Sequence, residues 1–186
     1  MERRDCDALV LFGATGDLCY RKLYPALYQL VRRGILSVPV IGVARQGWSL
    51  EQFAARVRDS LAAFVPAVDA AVQARLVSLL RYVDGDYNAR ATFDALRAAL
   101  GAAQRPLHYL AIPPSMFGVV AEHLSATTGA QGARIVVEKP FGRDLASARA
   151  LNRTLHAHFD EESIFRIDHY LGKEAVQNIL DRKSVV

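Results

Sequence analysis

Short apolar runs alternate with amphipathic stretches along the chain. Residues 8–13 (ALVLFG) form a nearly unbroken apolar run, which is typical of a strand buried on both faces. In residues 21–34, leucine and valine recur at helical spacing, and Gly34 stands where a helix would end. Pro25 falls in the first turn of this segment, where proline is tolerated. These signals predict a buried strand followed by a helix.

The same alternation continues toward the end of the chain. The further predicted strands are 38–45, 107–112 and 133–140, and residues 81–87 are predicted to form a short strand that runs into a turn. The further predicted helices are 47–64 with Ser49 as its cap, 66–80, 89–100, 115–124 and 143–159. Strands that alternate with helices predict an α/β fold, a doubly wound parallel sheet with helices on both faces. Ligands of such a sheet bind beyond the carboxyl ends of its strands.

Composition narrows the class of protein. The 186 residues suit one domain, and 52% hydrophobic with 23% charged residues is a globular balance. The net charge of +4 favours anionic ligands, but lysine and arginine form no long run, so nucleic acid is not an expected partner. No apolar stretch approaches the roughly 18–20 residues that span a bilayer, so no membrane association is expected.

Cysteine usage points to a reducing compartment. Cys6 and Cys19 are the two cysteines of the chain, which excludes a disulfide scaffold and favours the cytoplasm. Neither belongs to a C-x-x-C pair, so no metal site is expected. The apolar run at residues 8–13 is too short for a signal peptide and leads directly into a glycine-rich turn.

The segment 13–18 (GATGDL) lies directly between the first predicted strand and the first predicted helix. Glycine lets the backbone turn tightly and approach a pyrophosphate, and the helix N-terminus presents unpaired N–H groups to it. A G-x-x-G alone is a weak signal, because any tight strand-to-helix turn favours glycine. The order strand, glycine turn and helix at the start of an alternating chain indicates a dinucleotide site.

The end of the second predicted strand indicates which dinucleotide is bound. Folds that prefer NAD tend to place an acid there, which binds the ribose 2′-hydroxyl. This chain carries Arg45, and the next acid is Glu51. A guanidinium matches a phosphate in a bidentate manner, so Arg45 favours the 2′-phosphate of NADP. The alternative interpretation of Arg45 is a solvated surface side chain.

Four segments in order resemble the coenzyme domain of the glucose-6-phosphate 1-dehydrogenase family. They are FGATGDLCYRKLYPALYQL, AIPPSMF, ARIVVEKPFGRDLASA and RIDHYLGKEAVQNIL. The block RIDHYLGKE is highly specific to that family, whereas many dinucleotide-binding proteins share the glycine turn. The resemblance implies a Rossmann-like fold and oxidation of C1 of glucose 6-phosphate to the lactone with NADP as hydride acceptor. That reaction opens the oxidative pentose phosphate pathway.

The resemblance also implies the residues of the cofactor site. NADP is the implied cofactor, and NAD is a second candidate because many bacterial members of the family accept it. The cofactor-binding residues implied in this way are Gly13, Ala14, Thr15, Gly16, Asp17, Leu18, Arg45, Asp86, Tyr87 and Lys139.

For the substrate, the resemblance implies that His169, Tyr170 and Lys173 hold the phosphate of glucose 6-phosphate. Imidazole, phenol and ammonium supply charge-assisted donors at separate angles. Lys139 is expected to reach both the sugar hydroxyls and the cofactor. Asp168 is expected to orient the histidine base of a second domain, so Lys139 and Asp168 are the implied catalytic residues. Four histidines have no other predicted site residues beside them in the sequence. They are interpreted as core or surface residues: His108, His123, His156 and His158.

The expected organisation is a coenzyme domain without its partner. Residues 1–180 form the NADP-binding domain, which includes the sugar-phosphate segment 166–174, and residues 181–186 form an atypical tail. The family's catalytic C-terminal domain is absent, so the isolated chain is expected to show little or no turnover. Full-length family members are homo-oligomers, and the state of this chain stays open.

Two alternative functions remain at this level. One is another sugar oxidoreductase with a Rossmann domain, since several such enzymes carry a similar EKP segment after a late strand. The other is a nucleotide-binding module without catalysis that acts through a partner.

Overall fold

A computed structural model describes residues 6–128 and 132–168 of the chain. Its strands are β1 Ala8–Phe12, β2 Val40–Ala44, β3 Leu80–Asp84, β4 Pro106–Leu110, β5 Arg134–Glu138 and β6 Ile164–Ile167. Its helices are α1 Tyr24–Arg32, α2 Leu50–Phe64, α3 Ala70–Leu79, α4 Arg90–Leu100, α5 Phe117–Thr128 and α6 Leu145–His156. A π-helical turn, Cys19–Leu23, leads into α1, and short 3₁₀ turns lie at Pro114–Met116 and Glu161–Ser163.

The six strands form one parallel sheet in the order β3-β2-β1-β4-β5-β6. The order reverses between β1 and β4, because the chain leaves β3 at one edge and returns to the centre beside β1. In doubly wound sheets this reversal opens a crevice beyond the carboxyl ends of the strands. The glycine turn that follows β1 therefore lies at the expected ligand-binding position.

Helices cover both faces of the sheet, as the alternation of elements predicts. On one face, Val10 and Phe12 of β1 join a buried cluster with residues of α4, α5 and α6. On the other face, Leu9 and Leu11 join a second cluster with residues of α1, α2 and α3. All five residues of β1 are buried, which explains its unbroken apolar run.

Several local predictions are confirmed. Ser49 caps α2 in a capping box: its hydroxyl accepts from the Gln52 backbone N–H, and the Gln52 side chain accepts from the Ser49 N–H. Pro25 lies in the first turn of α1. His108 is fully buried in β4, in agreement with its interpretation as a core histidine.

One element was not predicted. The strand β6 is four residues long, and only Ile164 of the four is buried, while Phe165 is 44% exposed. Four residues at a sheet edge carry too little periodicity to be recognised, and pairing with β5 defines the strand. Asp168, one of the predicted catalytic residues, follows this strand directly.

The described part of the chain contains neither a membrane-spanning helix nor a cluster of metal-ligand side chains. None of the helices in residues 6–128 and 132–168 combines the length and the apolar character that crossing a bilayer requires. Over the same residues, no three side chains of histidine, cysteine, aspartate or glutamate are grouped so that they could hold a metal ion.

Candidate functional site

The glycine turn is formed where β1 ends. Gly13 has a φ of +77°, a conformation that favours glycine, and a Cβ there would lie 2.1 Å from the carbonyl oxygen of Ala111. The N–H of Gly16 donates to the carbonyl of Gly13 at 2.9 Å and closes the turn. Helical structure begins immediately afterwards, so a helix N-terminus, whose first N–H groups have no partner within the helix, follows the carboxyl end of β1 where the sheet order reverses.

Tyr87 attaches this turn to the neighbouring strand. Its hydroxyl accepts a hydrogen bond from the Gly13 N–H at 2.8 Å and donates one to the Val43 carbonyl at 3.1 Å. Burial raises the pKa of Tyr87, so the phenol stays protonated and can donate. The two residues are 74 positions apart in the chain. The Tyr87 hydroxyl therefore forms hydrogen bonds within the protein and holds the backbone of the glycine turn against β2.

Two buried side chains support the turn from below. The Tyr24 hydroxyl donates to the Ala14 carbonyl, and Cys19 is fully buried beside it. Burial raises the pKa of the Cys19 thiol to about 12, so this cysteine is not a nucleophile. From the sequence, Tyr24 was predicted only to lie in a helix, because no feature of the neighbouring residues indicates that its hydroxyl contacts the glycine turn.

Arg45 lies at the carboxyl end of β2, as predicted. Its side chain is 75% exposed, and its Nη1 donates to the Asp86 carboxylate at 2.8 Å. The other oxygen of Asp86 accepts from the backbone N–H and the side-chain amide of Asn88, both at 2.9 Å. The Asn88 backbone N–H, with Arg45 as a further cause, lowers the pKa of Asp86. Two predicted cofactor residues thus form an ion pair with each other.

Asp84, the last residue of β3, organises the loop that carries Arg45. Its carboxylate accepts from the backbone N–H groups of Gln46 at 3.0 Å and Gly47 at 2.7 Å. Asp84 was not among the residues predicted to form the site. Its place at the end of a predicted strand was the available signal, since side chains at that edge surround the ligand crevice.

Lys139 and Asp168 come together at the end of the neighbouring strands β5 and β6. The ammonium nitrogen of Lys139 lies 2.5 Å from an oxygen of the Asp168 carboxylate. The Lys139 side chain is 58% exposed, whereas Asp168 is only 18% exposed. The ion pair therefore joins a largely exposed lysine side chain to a mostly buried carboxylate.

Like the pair of Lys139 and Asp168, a contact between Tyr109 and Glu138 at the carboxyl ends of the strands was not predicted. The Tyr109 hydroxyl of β4 donates to the carboxylate of Glu138, the residue before Lys139. Burial, with Glu138 as a second cause, raises the pKa of Tyr109, so its phenol remains a donor. The contact joins the carboxyl ends of β4 and β5 and thereby limits the movement of the Lys139 backbone.

The predicted phosphate-binding residues His169, Tyr170 and Lys173 lie outside the described residues. The remaining predicted residues of the glycine turn, Thr15, Asp17 and Leu18, lie between β1 and the π-helical turn. Asp17 pairs with Arg21 at 2.8 Å on the exposed surface of that segment.

The strand order 3-2-1-4-5-6 and a glycine turn at the reversal define a dinucleotide-binding Rossmann domain. A sequence profile of the family described as "Glucose-6-phosphate dehydrogenase, NAD binding domain" matches residues 10–178. The chain belongs to the glucose-6-phosphate dehydrogenase family, and the resemblance seen in the sequence is confirmed.

Curated relatives agree with this assignment. Glucose-6-phosphate 1-dehydrogenase 1 of Mycobacterium bovis is 42% identical over 170 residues, which covers 91% of this chain and 36% of the relative. The Streptococcus pneumoniae enzyme is 43% identical over 183 residues, which covers 92% of this chain and 37% of that enzyme. The chain thus spans little more than a third of the length of these relatives.

Solved structures give the same result for the fold. The crystal structure of glucose-6-phosphate 1-dehydrogenase from Mycobacterium avium superposes with a TM-score of 0.85 at 39% identity, covering 94% of this chain and 41% of that one. A glucose-6-phosphate dehydrogenase in complex with its substrate glucose 6-phosphate gives a TM-score of 0.84 at 36% identity, covering 97% and 40%. The Rossmann-like α/β fold predicted from the sequence is confirmed.

Proposed function

We propose that this chain is the NADP-binding part of a glucose-6-phosphate dehydrogenase, with residues 1–180 as the coenzyme domain. One observation carries the proposal: the exposed guanidinium of Arg45 lies at the end of β2, next to the glycine turn at the end of β1. A dinucleotide phosphate needs both features, a turn that admits the pyrophosphate and a cation for the 2′-phosphate.

The residues of the crevice fit this cofactor. Gly13 leaves no room for a side chain because a Cβ there would meet the backbone of Ala111, so this close turn between β1 and the following helix requires glycine. In the proposed site, the turn from Gly13 to Leu18 binds the pyrophosphate through the backbone N–H groups of Thr15, Asp17 and Leu18, since those of Ala14 and Gly16 donate to Val43 and Gly13, and Arg45 binds the 2′-phosphate. Asp86, Tyr87 and Lys139 complete the set, with Tyr87 holding the turn in place rather than contacting the nucleotide through its hydroxyl.

The proposed reaction removes a hydride from C1 of glucose 6-phosphate and a proton from the C1 hydroxyl. Bound NADP supplies the hydride acceptor. Lys139 donates hydrogen bonds to the sugar hydroxyls, and Asp168 orients the histidine base that takes the proton. The 2.5 Å contact between Lys139 and Asp168 supports these roles, because it places the sugar-binding cation and the base-orienting carboxylate at one point.

The sugar phosphate is proposed to bind His169, Tyr170 and Lys173.

Cys6 and Cys19 are both free cysteines, which supports a reducing cytoplasm as the location. The net charge of +4 without a basic run supports small anions rather than nucleic acid as ligands.

Replacing Arg45 tests the cofactor assignment. We expect Arg45→Ala to raise the dissociation constant for NADP by about 10- to 100-fold, because a charge-assisted contact to phosphate contributes about 1.5–3 kcal/mol. The constant for NAD, which lacks the 2′-phosphate, should change by less than about 3-fold. Isothermal titration calorimetry with both nucleotides measures the two constants directly.

Arg58→Ala is the matched control, since Arg58 also forms an exposed ion pair, with Glu51 at 2.9 Å on α2. It should leave binding of both nucleotides unchanged. Equal losses of NADP and NAD binding in Arg45→Ala would contradict a 2′-phosphate role. A folded chain that binds neither nucleotide would contradict the proposed function.

Replacing Lys139 tests the sugar assignment. On the chain saturated with NADP, we expect Lys139→Ala to weaken glucose 6-phosphate binding by about 10-fold or more, because a buried sugar hydroxyl then loses a charged donor. Titration calorimetry with glucose 6-phosphate measures the loss, and Arg153→Ala removes one exposed positive charge of α6 as the control. Unchanged sugar-phosphate binding in Lys139→Ala would refute the assignment.

A further inference from the structure

We propose that Asp86 sets the cofactor specificity of this site, because its carboxylate accepts the ribose 2′-hydroxyl of NAD and opposes the 2′-phosphate of NADP at Arg45. The inference rests on the proposed nucleotide-binding function and deepens it. It changes the role of Asp86 from a general cofactor contact to a selector between two cofactors.

Asp86 lies where the ribose of a bound nucleotide is expected. Folds that bind NAD usually place their acid at the end of the second strand, and here Arg45 occupies that position. The sheet order places β3 beside β2, so the turn after β3 brings an acid to the same point. The carboxylate of Asp86 lies 2.8 Å from the Arg45 guanidinium. A carboxylate and a guanidinium therefore share the position where the ribose of the nucleotide is expected.

The hydrogen bonds of Arg45 and Asp86 leave both side chains able to bind a ribose hydroxyl. One oxygen of Asp86 is committed to Asn88, through the backbone N–H and the side-chain amide. The other oxygen faces Arg45 and, with two lone pairs, has capacity for a second donor such as a hydroxyl. Among the hydrogen bonds of the described residues, Arg45 uses only Nη1, which leaves its other N–H groups for a ligand. The pair can thus accept from and donate to a 2′-hydroxyl at once.

The negative charge of Asp86 disfavours a 2′-phosphate at Arg45. A 2′-phosphate that binds Arg45 must lie beside a carboxylate that already holds the same guanidinium. Like charges at such separation repel, and the side chains are exposed enough (75% for Arg45 and 38% for Asp86) that solvent moderates the effect. Asp86 therefore reduces the advantage that Arg45 confers on NADP, and the chain should bind both nucleotides.

The test compares two nucleotides on one substitution. We expect Asp86→Asn to weaken NAD binding by about 3- to 10-fold, since a charged acceptor is lost, and to strengthen NADP binding by about 3-fold, since the repulsion is lost. Titration calorimetry on the 186-residue chain measures both constants. Asp86→Ala, which removes the acceptor entirely, should weaken NAD at least as much, and thermal melts of each variant verify that the chain is folded.

Asp59→Asn is the matched control, because it makes the same charge change at an exposed position in the second half of α2. It should alter neither constant. If NADP binds the unsubstituted chain and Asp86→Asn changes both nucleotides by the same factor, or neither, the specificity role of Asp86 is refuted while the proposed function stands. If neither nucleotide binds the folded unsubstituted chain, the proposed function fails and the inference fails with it.

Discussion

Gly13→Ala should lower the free energy of unfolding by about 2–5 kcal/mol and abolish detectable NADP binding. The residue has a φ of +77°, and an alanine Cβ would lie 2.1 Å from the Ala111 carbonyl oxygen. The left-handed conformation costs a residue with a Cβ about 1–2 kcal/mol. Relieving the clash requires backbone movement, and such overpacking typically costs about 1–3 kcal/mol more.

The same substitution disrupts the site because of where the backbone must move. The Gly13 N–H donates to Tyr87, and the Gly13 carbonyl accepts from Gly16, so displacement of Gly13 breaks both contacts of the turn. Backbone N–H groups then no longer converge on a pyrophosphate. Urea unfolding followed by circular dichroism measures the stability, and titration calorimetry measures the binding.

Gly34→Ala separates the two causes. Gly34 has a comparable φ of +70° just after α1, but a Cβ there would meet no atom within 4 Å. This control should lose only the conformational part, about 1–2 kcal/mol, and should retain NADP binding. Equal destabilisation in the two variants would show that the contact with Ala111 is relieved without cost and would contradict the prediction.

Lowering the pH from 7 to 5 should cost about 2 kcal/mol of stability through His108 alone. The side chain is fully buried in β4, and neither ring nitrogen has a hydrogen-bond partner within residues 6–128 and 132–168. Burial lowers the pKa of His108 from 6.5 to about 3. Because the unfolded chain binds a proton below pH 6.5 and the folded chain does not until about pH 3, stability is full above pH 6.5 and falls through that window at up to about 1.4 kcal/mol per pH unit.

His108→Leu should remove this dependence. An apolar side chain of similar size also leaves no polar atom unpaired, so the variant should be more stable than the parent at pH 5. Urea unfolding at pH 5, 6 and 7 gives the slope, and His158→Leu is a control outside the buried sheet. Asp86, Asp144 and Glu161 have lowered pKa values and lose their contribution only at more acidic pH, so they do not mask the effect. An unchanged slope in His108→Leu would refute the assignment.

Much of the fold follows from the chain itself. The strand at residues 8–12 is recognised because all five of its side chains are buried, which leaves an unbroken apolar run. The cap at Ser49 is recognised because a capping box needs only residues three positions apart. Such signals are local, and tertiary contacts reinforce rather than override them.

The candidate site was visible in the sequence only as separate residues. Arg45 and Asp86 were both selected, and so were Lys139 and Asp168, but neither pairing was predicted. The pairs form because β2 lies beside β3 and β5 lies beside β6, so that residues following neighbouring parallel strands meet at one edge. The strand β6, on which the second pair depends, was missed because four edge residues carry no clear pattern.

The side chains that support the site from neighbouring segments could not be predicted from the sequence. Tyr24, Asp84 and Tyr109 each hold a part of the site through a bond to the backbone or to a carboxylate. Nothing in their own segments separates them from ordinary helix or strand residues. The sequence by itself determined the glycine turn, the family and every described strand and helix except β6, since those depend on spacing along the chain. The tertiary structure decided which side chains meet, because that depends on the order of strands in the sheet and on distances between residues 29 to 74 positions apart.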